Sequence, residues 1–386
     1  MSALPARPPR ITAIDALRGL VMLVMAIDHV RETFYLHLQV SDPMNVATTP
    51  PEVFFSRLAA HFCAPVFVFL AGVSAWLYAH PPGGTPRPVR AFLLKRGLLM
   101  LALEVTVVSF AWTGDFPLKV VYLQVIWAIG VAMIVLALVS GLRPALLAAI
   151  GLVLVGGHNL LAGLQLTPDH PLYLLWTLAL HRGWALQDTA LQVRLTYPAL
   201  PWVGVILLGW VAAPLFSARF SARQRIRAFA GLGLGCWALL LVLRGFNLYG
   251  ENAPWQPGPD ALHTVMSFLN FTKYPPSLDF LLLTLGGGLL MLAALDRVDN
   301  AMTRVLSTFG GAPMFYYLLH LFVLLAGYQL MLALFGPNQG SRFGVPADHF
   351  WLIWLITALL VPALYLPCRA FARYKRRTGR AWVRYF

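Results

Sequence analysis

Apolar runs of about 20 residues recur along almost the whole chain, each long enough to cross a hydrocarbon layer as a helix. In hydrocarbon, every backbone N–H and C=O needs a partner inside the segment or in a closed barrel, and runs this long select helices. No polar stretch between them is long enough for a separate soluble domain. With 59% hydrophobic and 11% charged residues among 386, the chain reads as one domain over 1–386. The expected fold class is all-α, a polytopic transmembrane helical bundle of about ten spans. The spans fall near 12–34, 58–79, 91–112, 119–139, 144–164, 198–216, 226–245, 278–295, 313–335 and 349–371. The first is too long for a cleavable leader, carries Arg18, and is followed by no small-x-small cleavage site.

A net charge of +14 would suggest nucleic acid in a soluble protein, but its distribution points to the bilayer. The N-terminal segment, alternate connections and the C-terminal tail hold 20 of the 29 Lys and Arg, including Arg7, Arg10, Arg87, Arg90, Lys95 and Arg96. By the positive-inside rule both termini are expected in the cytoplasm, and no nucleic-acid partner is expected. The basic tail Arg373-Tyr-Lys-Arg-Arg377 is read as topogenic, with anionic lipid as the other option. Histidine shows the opposite sidedness, with eight of ten on the outer side of this topology and His320 on the inner half of the ninth span. Three scattered cysteines exclude a disulfide framework, and Cys63 is expected to pack as a small hydrophobe.

The first span carries Asp15, Arg18, Asp28 and His29, groups that are costly at membrane depth unless they face a partner or a cavity. At ~100° per residue, Asp15, Arg18, Met22, Met25 and His29 fall on one stripe roughly 80° wide. Thr12-x-x-Asp15 fits a capping box, so Asp15 is open to a purely structural reading. Arg18 can pair with Asp15, snorkel to the headgroups, or hold a phosphate beside Gly19. Gly19 equally permits close approach of another helix. Asp28-His29 lies about 16 Å along the axis from Arg18, toward the opposite end.

In the second span, His61, Pro65 and Gly72 share a face. Pro65 frees the His61 carbonyl, so either an ordinary kink or a cavity-lining break is expected there. Tyr316 and His320 stand at i, i+4 and are expected to bond to each other. Lys273-Tyr-Pro-Pro-Ser277 is a rigid turn whose lysine can meet a substrate or a lipid. No H-x-x-x-H or H-E-x-x-H spacing exists, so no metal is expected.

Two of these segments carry a resemblance. Ile14-Asp15-Ala-Leu-Arg18-Gly19 and Ala64-Pro65-Val-Phe67-Val-Phe69-Leu-Ala-Gly72 resemble the heparan-α-glucosaminide N-acetyltransferase catalytic-domain family of membrane acyltransferases, in its bacterial branch. Tyr197-Pro-Ala-Leu-Pro-Trp202, Lys273-Tyr-Pro-Pro-Ser277 and Phe309–His320 extend the likeness more weakly. The resemblance implies acyl transfer from cytoplasmic acetyl-CoA, as co-substrate, to an amine or hydroxyl of a sugar or glycan across the membrane. Arg18 would then sit near the CoA phosphates and His29 near the reacting centre. The chain departs from the lysosomal enzymes in having His29 where they have Asn, and His61 where they have Asp.

The resulting expectation is an integral acyltransferase of the bacterial inner membrane, either monomeric or homo-oligomeric, with the lipid bilayer and a small-molecule or glycan acceptor as partners. His29, His61 and Asp28 are the catalytic candidates. Arg18, Asp15, Gly19, Arg90, Lys95, Arg96 and Lys273 are the candidates for binding CoA or acceptor. The alternative is a multi-span transporter or flippase for a polar or glycan-linked solute, against which the lack of an internal repeat counts.

Overall fold

The computed structural model describes residues 11–386; Arg7 and Arg10 lie outside the described residues. The chain is mostly helical. Helices α1 (Thr12–Phe34), α2 (Pro51–Ala60) and α3 (Cys63–Ala79) are followed by α4 (Arg90–Leu103). A π-helical turn over Glu104–Val108 joins α4 to α5 (Ser109–Thr113). Strand β1 (Val120–Leu123) leads into α6 (Val125–Val139), α7 (Pro144–Gly157) and α8 (Tyr173–Leu180). Strands β2 (Gly183–Leu186) and β3 (Gln192–Leu195) precede α9 (Ala199–Ala212), α10 (Ala222–Gly245) and α11 (Ala261–Phe268). The remainder is α12 (Leu278–Leu295), α13 (Ala301–Gly310), α14 (Pro313–Phe335) and α15 (Trp351–Arg377).

Local chemistry accounts for many of these boundaries. Pro51, Pro144 and Pro313 open α2, α7 and α14, where a missing N–H costs nothing. Ser221 with Gln224 and Asn300 with Thr303 form reciprocal caps on α10 and α13. Ser277 accepts from the Phe280 N–H at 3.1 Å to start α12. The capping box expected at Thr12 does not form, because the N-cap is Ile11 and Thr12 is already helical. Asp15 instead accepts from Arg18 at 3.1 Å.

Among the described residues, seven helical stretches are long and apolar enough to cross a membrane, with α2 and α3 counted as one stretch over Pro51–Ala79. α1 has the length, but Asp15, Arg18, Asp28, Arg31 and Glu32 lower its apolarity. Outward-facing Leu and Val on α7, α10, α14 and α15, such as Val153, Leu241, Leu334 and Leu359, are exposed as lipid-facing side chains would be. At the centre stands α1, in contact with α2, α3, α12, α13, α14 and α15.

Three features depart from a purely helical expectation. The second span is two helices, broken at His61–Phe62, one turn before Pro65. The run expected to span 119–139 begins as strand. β1 pairs in parallel with β3, Tyr122 opposite Arg194, and β2 pairs antiparallel with β3, Trp184 opposite Arg194. Finally, α13 packs backbone to backbone on α1, with Leu306 against Gly19 and Gly310 against Asp15. The helix that follows, α14, therefore starts deep in the bundle, and the Tyr316 hydroxyl donates to the Met22 carbonyl at 3.2 Å.

Candidate active site

The charged stripe of α1 faces open space. One chamber, with an empty volume of about 1210 Å³ including its mouth, runs along α1 from Asp15 and Arg18 past Met22 and Met25 to Asp28 and His29. A second, of about 1300 Å³, continues from Asp28 and His29 past Glu32 toward Arg57, Arg182 and Arg194. Asp28, His29, Val125, Tyr197 and Lys273 line both. Arg18 and His29 thus open onto one path, and His29 stands where its two halves meet.

At the Arg18 end, the guanidinium bonds Asp15, the Leu70 carbonyl at 3.3 Å and the Ser74 hydroxyl. Arg96 and Lys375 share this wall, and the buried Arg96 Nε has no hydrogen-bond partner among the described residues. Three cations from three helices therefore converge on one mouth. Of the residues singled out in the sequence, Asp15, Arg18 and Arg96 line it, whereas Arg90 and Lys95 do not. Gly19 is absent from the lining too: it lies under α13, and its role is helix packing. Lys375, expected from the sequence to be topogenic or to meet anionic lipid, lines the chamber.

At the junction, His29 Nδ1 lies 2.6 Å from His320 Nε2, and His320 Nδ1 lies 2.9 Å from the Tyr316 carbonyl. A carbonyl can only accept, so His320 Nδ1 carries the proton of that bond. Neutral His320 then accepts at Nε2, and His29 Nδ1 is the donor. What remains is an unprotonated His29 Nε2, for which no described residue supplies a hydrogen bond. This arrangement suits a general base or a nucleophile, because the second ring nitrogen is fixed by a partner. The expected Tyr316–His320 side-chain bond is replaced by a bond to the Tyr316 backbone, and the tyrosine hydroxyl goes to α1. The sequence placed His320 on the inner half of its span, but the deep start of α14 brings it level with His29.

Asp28 does not touch His29's ring. It accepts from Arg31 Nε at 3.0 Å and Nη2 at 2.9 Å, and Lys273 Nζ stands 3.9 Å away. Asp42 fixes the Lys273 turn by accepting from the N–H groups of Lys273 and Tyr274, the latter at 2.8 Å. It also pairs with Arg57 at 3.5 Å. Burial disfavours charge on Lys273, but Tyr274 and Asp28 outweigh it and hold the ammonium above its ordinary range. Neither Asp42 nor Arg57 stood out in the sequence, because a loop Asp and a helix Arg carry no pattern until the fold joins them.

His61 lies elsewhere. It is 1% exposed, packs on Phe280 at 5.1 Å between ring centroids, and lines neither chamber. Both of its ring nitrogens lack a hydrogen-bond partner among the described residues. No group of three or more metal-ligating side chains occurs among the described residues. Cys63 donates to the Val21 carbonyl at 3.1 Å, a packing role.

A family profile described as heparan-alpha-glucosaminide N-acetyltransferase, catalytic, matches residues 10–242. That stretch includes α1, the broken α2–α3 pair and the small sheet. No curated protein was found to match the chain. The profile covers more than half of the sequence and begins on the helix that carries Arg18 and His29, so the chain belongs to the heparan-α-glucosaminide N-acetyltransferase catalytic family of membrane acyltransferases.

Proposed function

We propose that the protein transfers an acetyl or other acyl group from cytoplasmic acyl-CoA to an amine or hydroxyl of a sugar at the outer face of the bacterial inner membrane. The observation that carries this is the pair of chambers meeting at His29. A donor entering at Arg18 and an acceptor entering past Arg57 would share one reacting point without crossing. The proposed topology has about ten spans with both termini cytoplasmic, an orientation that the Lys and Arg asymmetry supports.

The donor side fits the length of CoA. Arg18, Arg96 and Lys375 would hold its phosphates by charge-assisted hydrogen bonds. The pantetheine arm is a 13-atom chain, roughly 15 Å extended at ~3.5 Å per three atoms. Arg18 and His29 are about 16 Å apart along α1. Phosphates at the mouth therefore put the thioester at the junction.

There, His29 Nε2 takes the proton of the acceptor N–H or O–H as that nitrogen or oxygen attacks the thioester carbonyl. A new C–N or C–O bond forms and the C–S bond breaks. The departing sulfur takes the proton back from His29, so neutral histidine and CoA thiol are regenerated. Lys273, Tyr197 and Tyr317 supply hydrogen-bond donors around the developing oxyanion. A solute carrier would use the same path without a thioester, and membership of an acyltransferase family weighs against it.

The test is reconstituted protein with labelled acetyl-CoA on one side and a panel of amino sugars on the other. Labelled product opposite the donor with stoichiometric CoA release is expected. No acyl-CoA binding and no CoA release with any acceptor would sink the reading. A sharper version replaces both Arg18 and Arg96 with Gln. The KM for acetyl-CoA should rise at least about tenfold, since each bond to a charged group is worth roughly 1.5–3 kcal/mol. A short acetyl thioester without phosphates should be used equally well by variant and parent.

A further inference from the structure

The vestibule beyond His29 carries a charge pattern that the transfer reaction itself does not require. Besides His29, six carboxylate, guanidinium or ammonium side chains line it: Asp28, Glu32, Arg57, Arg182, Arg194 and Lys273. Their partners account for most of the charge. Arg31 pairs with both Asp28 and Glu32, Lys273 stands beside Asp28, and Arg57 is matched by Asp42. Arg182 and Arg194 are left, and no described carboxylate forms an ion pair with either.

Both are held in place by aromatic rings. The Arg182 guanidinium lies over the Tyr274 ring at 5.2 Å, and that of Arg194 over the Trp184 ring at 5.2 Å. Stacking occupies the flat face of a guanidinium and leaves its N–H edge for an acceptor. The three-stranded sheet explains the arrangement. Register places Tyr122, Arg194 and Trp184 side by side across β1, β3 and β2, hence on one face. Tyr122 and Arg194 of that face both line the vestibule. The other face of the sheet buries Val121, Leu123 and Leu195, while this face is a rigid wall of one arginine between two aromatic rings.

We propose that Arg182 and Arg194 form a subsite for an anionic oxyacid group, carboxylate or phosphate, on the acceptor, which is therefore an acidic amino sugar rather than a neutral one. This rests on the acyltransferase reading for the word acceptor, but not for the binding itself. Two planar forks present bidentate N–H edges to such a group. Tyr122, which lines the vestibule beside Arg194 and carries neither guanidinium, suits the apolar face of a sugar ring. Fixing the acid at the sheet leaves the amine to reach His29 at the far end of the same vestibule.

Binding measured without any acyl-CoA separates this from the function above. Purified protein in detergent is titrated with glucosamine, glucosamine 6-phosphate and inorganic phosphate, reading the shift in thermal unfolding. Glucosamine 6-phosphate should bind at least about tenfold tighter than glucosamine, as one or two charge-assisted bonds allow. R182Q/R194Q should erase that preference while leaving glucosamine binding and the unliganded unfolding temperature unchanged. R182K/R194K, which keeps charge but loses the fork, should fall between. Equal binding of the two sugars overturns the proposal. So does inorganic phosphate binding as tightly as the sugar phosphate, which would mark a free-anion site. Loss of the preference when phosphatidylglycerol is added would assign the arginines to a lipid headgroup and overturn it as well. Absent acyl transfer with intact discrimination would instead count against the reaction.

Discussion

His29→Ala is expected to lower acyl transfer by about 10²–10⁴-fold, the usual worth of a positioned general base, with acyl-CoA binding intact. His61→Ala should leave turnover within a few fold, because His61 sits behind the cavity wall against Phe280. The pair separates two histidines that the sequence alone could not rank. His320 sharpens the test. Leucine there removes the acceptor for His29 Nδ1–H and frees the ring to take the wrong tautomer, so kcat should drop while the KM for acyl-CoA stays put. Glutamine can accept that proton through Oε1 and should recover much of the loss. Initial rates over a range of acetyl-CoA concentrations, with thermal unfolding as a folding control, decide it. Full activity in His29→Ala, or equal damage by leucine and glutamine at 320, would remove the base from this position.

The same residues show what the sequence could carry. Charge on α1 was legible because a costly group in an apolar run needs a reason, and Arg18 and His29 do line the cavity. His320 was not, because its depth depends on where α14 begins. Hydropathy places a 23-residue apolar helix edge to edge in the membrane, but α13 packs beside Asp15 and Gly19, fills the turns at the Arg18 end of the bundle and moves the start of α14 deeper. Asn300 and Pro313 bracket α13 as a separate short helix, and that was the available signal. The sheet was hidden for another reason. Val120-Val-Tyr-Leu123 is as apolar as the helix it precedes, and its partner β3 begins at Gln192, too distant for any local pattern to reveal the pairing. Gly19 was open to two readings, and only the neighbour above it decides between them. The Gly19 Cα faces the Leu306 carbonyl, so the missing side chain serves α13 rather than a ligand.

That contact predicts the largest structural effect in the molecule. A Cβ at Gly310 would collide with the Asp15 carbonyl and one at Gly19 with the Leu306 carbonyl. Both obstacles are backbone and cannot swing aside, so the helices must part. Gly310→Val is therefore expected at or beyond the upper end of the ~1–3 kcal/mol that overpacking costs. It should show as a clear loss of thermal stability in detergent or as loss of folded protein. Gly310→Ala makes the milder case measurable. Gly310, Gly311 and Pro313 also line the donor chamber, so displacing α13 should raise the KM for acyl-CoA before it affects a short thioester. Gly19→Ala and Gly310→Ala open one seam, and their stability losses should combine to less than their sum. Strict additivity, or a Gly310→Val protein that unfolds like its parent, would mean that α1 and α13 do not meet backbone to backbone. The inner wall of the chamber would then have to be built by something else.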